Sequence, residues 1–203
     1  VSDIVTAVLL LSQFAVLRTR ALLWLATGYL FTAAAALVHA LTFPGLFTPT
    51  GLFGAGRQTT VWLYMIWHGV FPLCVLGYAW LKEKDGGSRL RGATSSAIYA
   101  CVLGIIVAMA VCTWIVTAQH DLLPVLLRDG HYTPTMIGVV SFVWSLSFAA
   151  LVSLWFRKPH SVIDVWLMVV MCAWLFDIAL SAIINVARFD LGFYAGRLYG
   201  LAA

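Results

Sequence analysis

The stretch Thr59–Lys82, TTVWLYMIWHGVFPLCVLGYAWLK, decides the fold class. At about 1.5 Å of rise per residue it is long enough to cross a hydrocarbon core about 30 Å thick, and its first formal charge is Lys82 at the far end. His68 is set in the middle of this apolar run. An ionisable side chain is costly to hold at that depth, so His68 marks a functional site.

The same character extends outward from this stretch. Hydrophobic residues make up 63% of the chain and charged ones 10%, which lies outside the range of soluble domains and fits a polytopic membrane protein. Lipid offers the backbone no hydrogen-bond partners, so long apolar runs of this kind predict an all-α transmembrane helical bundle. The net charge of +4 then reads as basic residues placed by topology. No basic stripe is interleaved with exposed aromatics, which excludes a nucleic-acid partner.

Hydropathy, broken at charges and Gly/Pro clusters, predicts seven helices: Ile4–Leu17, Ala21–Phe43, Thr60–Leu81, Ser95–Ala118, Pro134–Phe156, Ser161–Val186 and one from about Asp190 onward. The chain opens without a methionine or a signal sequence and stops inside the last run, which predicts a segment of a longer protein. Arg18, Arg20, Lys82, Lys84, Arg89, Arg91, Arg157 and Lys158 fall in connections on one side, against Arg57, Arg128 and Arg188 on the other. The richer side is assigned to the cytoplasm, so Val1 begins outside and Ala203 leads inward.

The outer connection 43–58, FPGLFTPTGLFGAGRQ, combines Gly and Pro with Phe43, Phe47 and Phe53 and suits the membrane interface. Its GLFGAGRQ segment is not a phosphate loop, because Arg57 and Gln58 stand where Lys and Ser/Thr are required and no strand precedes it. No fixed-period repeat and no inverted pair of broken helices is present, which argues against a transporter.

With sidedness assigned, polar residues fall at similar depths. Along their helices His68 lies roughly 12 Å from the outer end, Asp177 roughly 15 Å, Arg197 roughly 10 Å and His39 roughly 6 Å. Asp177, Ser181 and Asn185 recur at every fourth position and share a helix face. Arg197 is the nearest cation in sequence and depth, so an Asp177–Arg197 pair is expected, as a helix lock or as part of a ligand-orienting network with Ser181, Asn185 and His131.

His39 and His68 admit four readings: neutral hydrogen-bonded core histidines, axial ligands of a b-type haem, a transition-metal site, or direct contacts to an organic ligand. For haem, Tyr29, Phe31, Tyr64, Trp67 and Phe71 are near enough in sequence to line the pocket, and Arg57 or Arg197 would meet the propionates. His120, Asp121, Asp129 and His131 in the second outer loop have the residue types of a divalent-metal lid, although such residues are usually just solvated. Cys74, Cys101, Cys112 and Cys172 lack ligand or disulfide spacing and read as small core residues. Ser161 and Asp164 form a capping-box pattern, with His160 beside it at a helix start. Trp24, Trp62, Trp80, Trp155 and Trp166 suit the aromatic belts.

Several stretches together resemble one family. LATGYLFTAAAALVHALTFPGLF, QTTVWLYMIWHGVFPL, LLRDGHYTP, KPHSVIDVWLMVVMCAWLFDIALSA and RFDLGFYAGRLYGL are similar to the bacterial membrane-associated sensor domains of the MASE type, which stand ahead of diguanylate cyclase and histidine kinase modules. The resemblance spans nearly the whole chain and implies an integral-membrane sensory domain at 1–203, with seven of about eight helices. It further implies an inner-membrane location, a dimer, and a cytoplasmic output module beyond Ala203, a diguanylate cyclase making cyclic di-GMP. His39, His68, His131, Asp177 and Arg197 all stand within the matching stretches.

Three functions compete at this point. The favoured one is a sensor whose cofactor, haem b, or small signal sits in the outer half of the bundle. The second is a haem-free sensor of an apolar ligand or lipid, with Asp177, Arg197 and Ser181 orienting its polar end. The third is a membrane haem electron carrier, which would want buried histidines at both membrane depths, and the inner half has none.

Overall fold

A computed structural model of the chain describes residues 2–85, 90, 92–129 and 131–180. Its elements in chain order are α1 (Ser2–Leu17), α2 (Arg20–Leu41), α3 (Thr59–Asp85), α4 (Thr94–Ala118), a short 3-10 turn (His120–Leu122), β1 (Leu127–Arg128), β2 (His131–Tyr132), α5 (Pro134–Phe156) and α6 (Val162–Ile178). Among the described residues four helices are long and apolar enough to cross a membrane, α2, α3 to Lys84, α4 and α5. Helix α1 is a shorter apolar helix, the described part of α6 runs to Ile178, and the helix expected from Asp190 lies outside the described residues. Of the seven expected helices, six stand among the described residues, and four of these have spanning length.

The chain divides into two compact units, Val1–His120 and Asp121–Ala203. In the first, α2 packs against α1, α3 and α4. Glycines set how close α2 and α3 come: a Cβ added at Gly28 would stand 2.7 Å from the Cβ of Cys74, and one at Gly77 would collide with the Trp24 indole. With Tyr29 meeting Phe71 edge-on at 5.0 Å, these contacts fix the antiparallel register of the pair. Phe31, Ala35 and Met109 form a core cluster joining α2, α3 and α4. Tyr99, Leu103, Ile106 and Trp114 of α4 point out of the unit, as residues facing lipid do.

Hydroxyls inside the helices are satisfied without solvent. Thr27, Thr32, Thr113, Thr117 and Ser147 each donate to the carbonyl four residues earlier, at 2.7–3.0 Å. Helix α3 carries Pro72 in its interior, where the ring has no N–H to give to the His68 carbonyl one turn back.

Each end of the first unit is tied. At one, the Leu90 N–H donates to the Arg18 carbonyl at 2.8 Å, which joins the α1–α2 turn to the α3–α4 connection. The basic residues Arg18, Arg20, Lys82 and Lys84, grouped by sequence on one side, cluster at this end. At the other, connection 43–58 folds back on α2: the Leu52 N–H donates to the Leu41 carbonyl at 3.0 Å, and Gly51, at φ +86, lies against the Thr42 carbonyl where a side chain would not fit. Phe47 and Phe53 of this connection are exposed, in keeping with an interfacial position.

In the second unit, β1 and β2 form a two-stranded antiparallel ribbon with Leu127 opposite Tyr132 and Arg128 opposite His131. Thr133 caps α5, its hydroxyl accepting the Met136 N–H at 3.2 Å. Ser161 and Asp164 make the expected capping box, with the Asp164 carboxylate accepting the Ser161 N–H at 2.6 Å. The His160 Nε2–H donates to the Trp155 carbonyl at 3.1 Å, so this ring closes the C-terminal end of α5 and is more than a neighbour of the cap. Cys172 is exposed on α6, which corrects its reading as a core residue; for a helix facing lipid, an apolar thiol needs no protein cover. Trp24, Trp80, Trp155 and Trp166 are likewise exposed.

Candidate functional site

His68 is 2% exposed on α3 and His39 7% exposed near the end of α2. The Nδ1 of His68 lies 2.8 Å from the Tyr64 carbonyl, and a carbonyl only accepts, so Nδ1 carries the proton. In the neutral ring the lone pair then belongs to Nε2. Two aromatic rings enclose this imidazole: Tyr64 at 3.8 Å between centroids, tilted 32°, and Trp67 at 4.7 Å, tilted 41°. The Tyr64 contact follows from helix geometry, since Tyr64 lies one turn before His68; Trp67 is its neighbour in sequence.

His39 joins the same cluster through Trp67, whose ring stands edge-on to it at 6.1 Å, and through Phe43 at 5.9 Å. The α2–α3 register governs how the two histidines relate. Gly28 beside Cys74 and Trp24 beside Gly77 bring Ala33 and Ala34 level with His68, so His39 lies about one and a half turns, roughly 8 Å, further toward connection 43–58. Trp67 fills that step, touching both imidazoles. The cluster expected from sequence is thus assembled in one unit from His39, Tyr64, Trp67 and His68, with the histidines stepped along the helices. Tyr29 and Phe71 pair on each other deeper in the α2–α3 interface.

The other sequence-derived residues are dispersed. Arg57 is exposed in connection 43–58. His131 is exposed on β2, and Asp121 and Asp129 are exposed as well. Among the described residues no group of three or more His, Cys, Asp and Glu is placed to hold a metal ion. Asp177 is half-buried in the second unit. Ser181, Asn185 and Arg197 lie outside the described residues, and so does the expected Asp177–Arg197 pair.

Sequence reasoning missed Thr59, which is fully buried at the start of α3. Its hydroxyl accepts the Gly56 N–H at 2.9 Å and donates to the Val116 carbonyl at 2.7 Å, locking connection 43–58 to the end of α4 beyond the histidine cluster. A Thr at a helix start is a recognisable capping signal, but its partner 57 residues away is not.

A family model described as "Membrane-associated sensor, integral membrane domain", MASE4, matches residues 1–203. The chain belongs to this family. Neither a curated protein nor a solved structure matches it. The MASE4 assignment agrees with four helices of spanning length and makes the chain a membrane-embedded sensor domain, in contact with the lipid bilayer. Within that MASE4 domain, His39 and His68 are buried side chains of the first unit, joined through Trp67.

Proposed function

We propose that the chain is the input part of a signalling protein, which receives a small ligand at the His68 cluster and passes the change to a C-terminal output module. The observation that carries this reading is the buried His68 ring, whose Nδ1–H is given to the Tyr64 carbonyl and which packs against the Tyr64 and Trp67 rings. A site of one imidazole among aromatic faces suits a molecule with an apolar body and a small polar group, entering from the bilayer. Binding shifts the bundle only as far as the ligand prefers one α2–α3 packing over another. The output module is a diguanylate cyclase by resemblance, the assembly a homodimer in the bacterial inner membrane, with the beginning of the chain periplasmic and the basic turns cytoplasmic.

A second reading places haem b in the cluster, and the same tautomer favours it. An axial imidazole donates Nδ1–H to a carbonyl and binds iron through Nε2. When bound, haem would supply an iron centre responsive to redox state or a diatomic gas. His68 and His39 would hold the iron, with Arg57 or Arg197 for the propionates. The Trp67 ring fills the step between the two histidines and would have to move aside, which is why the haem-free reading stands first.

One preparation separates them. Protein from haem-replete cells is examined by ultraviolet–visible absorption and by mass spectrometry of its organic extract. The first reading expects no Soret band and a bound small molecule that is lost in His68→Ala. A Soret band abolished by His68→Ala decides for haem.

A further inference from the structure

Helices α5 and α6 leave a groove of about 540 Å³ between them whose lining is wholly apolar, within the range of ligand sites. Val152 and Trp155 of α5 and Val165, Met168, Val169 and Cys172 of α6 form its walls. It begins at the α5–α6 turn and follows α6 to Cys172, roughly 15 Å from the start of that helix at Val162. Its lining exposes no polar atom, which suits a hydrocarbon chain and gives a polar ligand nothing to bind.

The mouth has the opposite character. Arg157 and Lys158 occupy the turn directly above the groove, Lys158 exposed and Arg157 half-buried. The carboxylate of Asp164, the acid at this turn, caps α6, accepting the Ser161 N–H at 2.6 Å and hydroxyl at 2.9 Å. His160 is pinned to the Trp155 carbonyl, which fixes the turn over the groove. Trp155 and Trp166, both exposed, flank this turn at the ends of α5 and α6, where the indoles of an aromatic belt are expected. Basic residues over a cleft between membrane helices recognise an anionic headgroup.

The geometry points to a binding site for an anionic phospholipid, one acyl chain lying in the α5–α6 groove and the phosphate held at Arg157 and Lys158. This site is separate from the His68 cluster and requires only that the chain be a membrane domain.

The test uses the whole chain in nanodiscs of mixed phosphatidylglycerol and phosphatidylcholine, with retained lipid counted by native mass spectrometry. Phosphatidylglycerol is expected to be retained preferentially. Arg157→Gln and Lys158→Gln are each expected to weaken that retention about fivefold, as loss of one basic residue near a lipid surface does. Val169→Trp, which fills the groove, removes the retained lipid, while Ile137→Trp at the other end of α5 leaves it unchanged and controls for folding. Equal retention of the two lipids, or undiminished retention in Val169→Trp, overturns the site. So does a cysteine crosslink from Cys172 showing that a second copy or residues 181–203 cover the groove.

Discussion

Gly28 of α2 and Cys74 of α3 are in direct contact, and a methyl group at Gly28 would stand 2.7 Å from the Cys74 Cβ, closer than such carbons approach. Gly28→Ala should therefore push α2 and α3 apart and cost about 1–3 kcal/mol, the usual range for overpacking. Reversible unfolding in mixed micelles measures the loss. Cys74→Gly in the same chain should restore most of it, since it removes the atom that clashes; a double variant no better than the single one would show that the strain lies elsewhere.

Trp67 bridges the step between His39 and His68. Trp67→Ala should open a cavity there and lower stability by about 2–4 kcal/mol, somewhat less than for a fully buried tryptophan. If Trp67 is what keeps haem out, this variant takes up added haem that the parent chain refuses, and the Soret band disappears again in Trp67→Ala/His68→Ala. Failure of Trp67→Ala to bind haem would show that something other than the indole excludes it.

The Thr59 hydroxyl serves Gly56 and Val116 together. Thr59→Val keeps the shape and strands a buried N–H and weakens a carbonyl's partnership, at a cost of about 1–3 kcal/mol. Thr59→Ser should keep most of the stability. Amide exchange at Gly56 should speed up in the valine variant and stay slow in the serine one.

Ser161→Ala should cost about 1 kcal/mol, the usual loss of a helix N-cap, and loosen the turn between α5 and α6. Proteolysis within 157–161 would report it as faster cleavage. Ser161→Asp, which also caps, should cleave at the parent rate.

The helices were legible because hydropathy, charge and Pro/Gly punctuation all act along the chain. Pro134–Phe156 matches the structure at both ends, and Ser161 with Asp164 caps α6 as the pattern requires. The site was half legible. Burial of His68 in an apolar run follows from sequence, and so does its neighbourhood with Tyr64 and Trp67, since all three lie on one helix. The step between His39 and His68 does not, because it depends on the register of two helices, and apolar runs slide past one another without changing their hydropathy. Gly28 and Gly77 set that register. In sequence they look like any other small residues of a membrane helix. His160 escaped for a similar reason: a bond to a carbonyl five residues earlier belongs to no helical period.

Pro72 gives the His68 cluster a mechanical setting. Beyond it toward Asp85, Cys74 and Gly77 hold α3 tightly to α2; before it, Thr59 anchors α3 to the end of α4. A proline between two clamped segments is a joint, because the missing backbone bond lets each half of the rod take its own direction. His68 lies one turn from that joint. A ligand that tugs on this imidazole works against the bending stiffness of a single weakened turn and need not move the whole helix.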